Sequence, residues 1–261
     1  MSAESASPGR TAQLRSALAD VNARIAAACA ASGRDPAGVT LMVVTKTYPA
    51  SDVAILAELG VHDIAENRDQ EARVKAADLA DEQRQWGFRW HMIGQLQRNK
   101  CASVAVWADV VESVDRLALV EPLARAAARR AGQLDVLVQV NLDPVPAPGR
   151  GGIPPEAALD LAAAIDAEPS LRLRGVMGVA PAKIPPMPDR ADDPMSGIGV
   201  RDIAAAGFAR LSAVSAQVRA RWPEAVIMSA GMSGDLEAAI AAGSTQVRIG
   251  SAILGSRDAG R

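Results

Sequence analysis

The chain has 261 residues, 49% hydrophobic and 22% charged, with a formal net charge of −2 and aromatic side chains at only 3%. That balance offers no general attraction to phosphate backbones and too few rings for base stacking, which argues against nucleic acid as a ligand, and no apolar run reaches the roughly 20 residues a membrane span needs. Cys29 and Cys101, the only cysteines, are too few for a disulfide framework or a four-ligand zinc site and read as reduced thiols.

The first ten residues, MSAESASPGR, lack the basic start and apolar middle of a secretory signal, so a disordered lead-in over 1–10 and a cytoplasmic location are expected. A helical stretch at about 11–32 follows. From there apolar runs alternate with alanine-rich stretches of helical spacing. The runs are 39–46, 62–66, 89–94, 109–114, 135–142, 173–179, 226–231 and 246–251; the helical stretches are about 50–60, 67–82, 95–107, 115–131, 154–167, 201–221 and 233–242. This alternation predicts a single (β/α)8 TIM barrel over 11–257, preceded by a helix. Asp115 and Ser233 are placed as helix-starting residues, and Gly243 as the residue that ends the last long helix. Two segments dense in Pro and Gly, 143–155 and 181–200, each follow a predicted strand and so belong to the C-terminal face, where active-site loops sit.

In a parallel barrel the residues that meet a ligand stand at the C-terminal ends of the strands. Here they form a polar ring: Lys46, Glu66, Asn67, His91, Glu112, Ser113, Asn141, Met177, Ser229, Arg248 and Gly250. Lys46 is conspicuous because the chain has 28 basic residues of which only four are lysine. Burial at a strand end lowers an amine's pKa and frees it to attack a carbonyl; the alternative is a terminal side chain that snorkels into solvent. Gly250 and Ser251 present backbone N–H groups with little steric cover, and Ser229 adds a hydroxyl on the neighbouring strand, a combination suited to phosphate at the loops after strands seven and eight. Gly250 could instead merely relieve crowding. Arg248 shares a face with Gly250 and, as a donor-only group, would hold a ring nitrogen unprotonated; its alternative is an ion pair with Glu66 or Glu112. His91 reads equally as a satisfied structural imidazole or a proton donor. Lys46 and the eighth strand, adjacent in a closed barrel, together suggest a ligand bearing both a carbonyl and a phosphate.

Several blocks in order then resemble a known family: VVTKTYP at 43–49, IAENRDQE at 64–71, WHMIGQLQRNK at 90–100, VLVQVNL at 136–142, LRLRGVMGVAP at 171–181 and MSAGMSGDLEAAIAAGSTQVRIGSAILGSR at 228–257. They are similar to the pyridoxal 5′-phosphate homeostasis proteins, which carry an alanine-racemase-like barrel of fold type III. The resemblance implies that Lys46 forms a Schiff base with pyridoxal 5′-phosphate (PLP), that Arg248 faces the pyridine nitrogen, and that Ser229 with Gly250 and Ser251 holds the phosphate. It further implies that Asn67, His91 and Met232 line the pocket. Ala65, Gln95, Ala230 and Gly234 depart from the family pattern without touching the lysine, the arginine or the phosphate glycine. The implied function is storage, buffering or delivery of PLP by a monomer, with PLP-dependent apoenzymes as recipients and no strong turnover. The alternative is a PLP-dependent amino-acid racemase. Alanine racemase takes its second base from a tyrosine supplied by an additional domain and a dimer partner, and here Tyr48, the only tyrosine, is the one candidate.

Overall fold

The computed structural model describes residues 8–144, 149–181 and 200–255. Its strands are β1 (Thr40–Val44), β2 (Asp63–Glu66), β3 (Arg89–Met92), β4 (Val110–Val114), β5 (Leu134–Val140), β6 (Leu171–Gly178), β7 (Ile227–Ser229) and β8 (Gln246–Ile249). They close in chain order into a parallel barrel, with Met42 of β1 opposite Asp63 of β2 on one side and Arg248 of β8 on the other. The barrel expected from the alternation of runs is therefore the one observed.

The helices are α1 (Pro8–Ala31), α2 (Ala50–Glu58), α3 (Asp69–Asp78), α4 (Ala80–Trp86), α5 (Cys101–Trp107), α6 (Val120–Ala127), α7 (Ala158–Asp166), α8 (Val200–Arg221), α9 (Leu236–Ala241) and α10 (Ser251–Leu254). In α1, Leu14, Leu18, Val21, Ile25 and Ala28 recur every three or four residues and all are buried, against α9 and α10. This helix starts at Pro8 rather than near residue 11, because proline suits a first turn that needs no N–H. Residues 1–7 of the expected lead-in lie outside the described residues.

Local geometry corrects several other boundaries. The runs 39–46 and 246–251 overshoot their strands: the chain leaves the sheet after Val44, with Thr47 at φ 68°, and after Ile249, where α10 begins. The expected helix 67–82 is two helices, α3 and α4, broken at Leu79. Asp115 does not begin a helix; it pairs with Arg116 at 2.5 Å, and α6 starts at Val120 after a short 3-10 turn. Ser233 is not the N-cap of α9; Asp235 holds that place, and its carboxylate accepts the Met232 N–H at 2.6 Å. Gly243 ends that helix as expected, at φ 103°. The loop after β5 is less irregular than its composition suggests, since Ile153 returns to bridge Val140 in parallel. Residues 145–148 of that loop and 182–199 of the second Pro-rich segment lie outside the described residues.

Alternate strand residues face opposite ways. Val43, Ile64, Trp90, Val111, Val136 and Ile249 face outward and form the main core with the helices. Inside the barrel, where branched apolar side chains commonly fill the space, only Val110, Leu137 and Met177 form a small buried apolar cluster. Polar side chains occupy much of the rest. The lumen is thus built for charge as well as for packing.

At Gly175 the β5–β6 register slips, so that Leu173 and Gly175 pair with consecutive residues, Val136 and Leu137. The glycine sits at φ 145°, and an added Cβ would lie 1.9 Å from the Ile227 carbonyl oxygen. Gly175→Ala is expected to cost about 3 kcal/mol, measured as a lower urea midpoint; an unchanged midpoint would mean that β7 moves aside freely.

Candidate functional site

His91 lies at the centre of the lumen with no exposed surface. Its Nδ1 is 2.9 Å from Glu112 Oε1 and its Nε2 is 2.8 Å from Asp63 Oδ1. A neutral imidazole would turn one lone pair toward a carboxylate, so this geometry calls for two N–H donors and hence an imidazolium. Burial opposes that charge, but the bonds to Asp63 and Glu112 outweigh it and raise the His91 pKa. Burial likewise pushes both carboxyls up, and the same bonds, helped by Arg89 at Asp63 and by Arg248 and Ser229 at Glu112, hold both below their ordinary values.

From Glu112 the network climbs toward the mouth. The Ser229 hydroxyl donates to Glu112 Oε2 at 2.6 Å and accepts from Arg248 Nη1 at 2.8 Å, while Gln246 Nε2 donates to Glu112 Oε1 at 2.5 Å. Arg248 Nη2 donates to the Gly178 carbonyl at 2.8 Å. Its Nε–H has no hydrogen-bond partner among the described residues. Two cations, His91 and Arg248, thereby balance two anions, Asp63 and Glu112. Burial draws the Arg248 pKa down, against the pull of Glu112 and Asp235.

Two expectations change at this point. His91 does not line the mouth; both of its nitrogens are committed to carboxylates below it. The Ser229 hydroxyl is likewise fully buried and bonded, so it faces Arg248 and Glu112 rather than standing free for a phosphate. Arg248 is near Glu112 but joined to it through Ser229, and it makes no ion pair with Glu66. Asp63 and Gln246 were not singled out from the sequence. Parity could have found them, because each lies two residues from a lumen position, Ala65 and Arg248.

The mouth is formed by the turns that follow β1, β2 and β8. Lys46 is half-buried, one residue before the left-handed Thr47. Lys75 and Lys100 are ion-paired with Glu66 and Asp69, whereas the Lys46 side chain has no hydrogen bond or ion pair among the described residues. Directly after β2, Asn67 Oδ1 is buried with no partner among the described residues. On the β8 side Gly250 packs against β1, where an added Cβ would come within 3.2 Å of the Val44 carbonyl oxygen. The N–H groups of Gly250, Ser251 and Ala252 donate to no described backbone acceptor, as the start of a helix requires. Met232 is exposed on the β7 side and lines an open depression with Arg150, Val179, Pro181 and Gly234, away from Lys46. Tyr48 donates its phenolic proton to the Gly255 carbonyl at 2.7 Å, tying the loop after β1 to the end of α10. That bond supports a structural role for the phenol. Glu66 faces outward, away from the mouth, and burial raises its pKa despite Lys75 and Thr45.

One unpaired amine, one guanidinium N–H and several backbone N–H groups make a donor set that fits an aldehyde, an unprotonated ring nitrogen and a phosphate. Residues 17–258 match the family model for the N-terminal domain of alanine racemase. A relative from Mycobacterium tuberculosis, named pyridoxal phosphate homeostasis protein, is 40% identical over 97% of this chain and 96% of its own. A protein of unknown function from Bifidobacterium adolescentis superposes with a TM-score of 0.83 at 31% identity, covering 96% of this chain and 98% of the other. PipY of Synechococcus elongatus, solved with PLP bound, superposes at 0.69 with 26% identity, covering 93% and 100%.

Replacing His91 would leave Asp63 and Glu112 buried without a cation between them. His91→Gln is expected to cost about 3–5 kcal/mol. Because the folded His91 pKa is raised, its stabilisation is complete below the ordinary value of about 6.5 and is lost as pH rises through the raised one. Denaturation midpoints measured from pH 6 upward should fall along such a limb in the parent and not in His91→Gln; parallel profiles would refute the charged imidazole.

Proposed function

The chain belongs to the alanine racemase N-terminal domain family and, within it, to the pyridoxal phosphate homeostasis proteins, and from that premise we propose that it binds PLP reversibly through Lys46 and so stores, buffers or delivers the cofactor. The observation that carries this reading is the pairing state of the described lysines: Lys75 and Lys100 have carboxylate partners, and Lys46, at the barrel mouth, has none among the described residues. When bound, PLP supplies an aldehyde that an amine captures and later releases by hydrolysis or exchange.

The chain's own residues supply position and charge. Arg248, held by Ser229 and Gly178, keeps its Nε–H for the ring nitrogen, and as a permanent donor it would leave that nitrogen unprotonated. Gly250 and Ser251 offer N–H groups to the phosphate, where the missing Cβ at Gly250 lets β8 and the β1 turn lie close. Asn67, just after β2, offers an Oδ1 with no partner among the described residues, and Met232 stands on the rim. Ser229 and His91 act from beneath, Ser229 by holding Arg248 and His91 by keeping Glu112 ionised below Ser229. PLP-dependent apoenzymes are the proposed recipients, and the protein is proposed to work as a monomer in the cytoplasm. No described helix is long and apolar enough to cross a membrane.

Protein incubated with PLP should turn yellow, and borohydride should then fix one pyridoxyl phosphate on Lys46, located by peptide mass spectrometry. Lys46→Ala should lose the colour. Label distributed over other lysines with Lys46 unmodified would overturn the assignment.

A further inference from the structure

The chain uses arginine almost everywhere a cation is needed, yet it places a second lysine, Lys75, under the turn that carries Lys46. Lys75 projects from α3, with its side chain only 8% exposed. Its ammonium donates three hydrogen bonds: to the Thr45 carbonyl at 2.9 Å, to Glu66 Oε1 at 2.7 Å and to Glu71 Oε1 at 2.7 Å. Three donors meet three acceptors, so this amine has no proton or lone pair to offer a ligand. The planar fork of an arginine does not match three acceptors converging on one point.

The same carboxylates grip the residues on either side of Lys46. Glu66 Oε1 accepts the Thr45 hydroxyl at 2.6 Å, and Glu71 Oε1 accepts the Thr47 N–H at 2.5 Å. Thr47 is the one non-glycine among the described residues at positive φ, 68°. A β-branched residue is strained there by about 1–2 kcal/mol, and such a conformation persists only where its surroundings over-determine it. Residues 45 and 47 are therefore fixed from outside the barrel, while the side chain between them has no partner among the described residues.

We propose that Lys75, with Glu66 and Glu71, is a positioning cluster that clamps Thr45 and Thr47 and so holds the Lys46 amine at the mouth in the geometry for capturing an aldehyde. The two lysines divide the work. Lys75 is saturated and structural; Lys46 is unpaired and reactive. The inference rests on the reading of Lys46 as the capturing amine and adds that its placement depends on a charge cluster that never touches the ligand.

The test compares PLP with pyridoxine 5′-phosphate, which has the same ring and phosphate but no aldehyde, on the parent, Lys75→Met and Glu71→Ala. Glu71 is partly exposed, so its removal spares the buried Lys75–Glu66 pair should Lys75→Met fail to fold. A clamp acting through Lys46 should slow covalent capture of PLP and weaken its binding by about tenfold to a hundredfold, the scale of a misplaced reacting group. Pyridoxine phosphate affinity, read by calorimetry, should stay within about twofold, well under the tenfold that 1.4 kcal/mol represents. Equal losses for both ligands, or unchanged capture in both variants, would overturn the proposal. A parent protein that binds both ligands without covalent capture brings down the reading of Lys46 first, and the clamp with it.

Discussion

Two carboxylates, Asp63 and Glu112, are buried in the lumen of this barrel, and His91 lies between them as the cation that bonds to both and, with Arg89 and Arg248, keeps them ionised. A single unpaired charge in such a place would cost several kcal/mol, by the order of magnitude for desolvating an ion. The lumen meets this constraint by charge balance, with His91 and Arg248 against Asp63 and Glu112. Hydrogen bonds then run without a break from Arg248 through Ser229, Glu112 and His91 to Asp63. Arg248 is fixed by that chain and by Gly178, and its Nε–H has no hydrogen-bond partner among the described residues.

Above the lumen, the site is shaped by what is withheld from bonding. Among the described residues Lys46 has no partner, Asn67 Oδ1 has none, and the first N–H groups of α10 have none within the backbone. Well-bonded neighbours flank two of these groups, Lys46 between Thr45 and Thr47 and Gly250 against Val44, and Tyr48 latches the β1 turn to Gly255. A fixed frame around free groups is the arrangement expected of a pre-organised binding site, because the ordering cost is met in folding rather than in binding.

The barrel was legible because its signal is repeated eight times, and the lumen-facing place of Arg248 was legible because strand parity is a local property. What failed to show was tertiary. Nothing in VVTKTYP indicates that the strand stops at Val44, since the turn at Thr47 is sustained by Glu71 on the next helix. His91 and Ser229 were read as mouth residues because both stand near strand ends; the structure puts their polar atoms below the mouth, committed to Glu112. Lys75 lay in a helix whose sequence, DQEARVKAAD, reads as a solvated face. Only the closure of α3 over the β1 turn buries it and gives it three acceptors.

A crystal structure of the protein grown with PLP tests the covalent reading most directly. Continuous density from Lys46 Nζ to the C4′ carbon is expected, with the ring nitrogen facing Arg248 Nε and the phosphate on the Gly250 and Ser251 N–H groups. A ligand seated elsewhere, or seated here with Lys46 unattached, would contradict it.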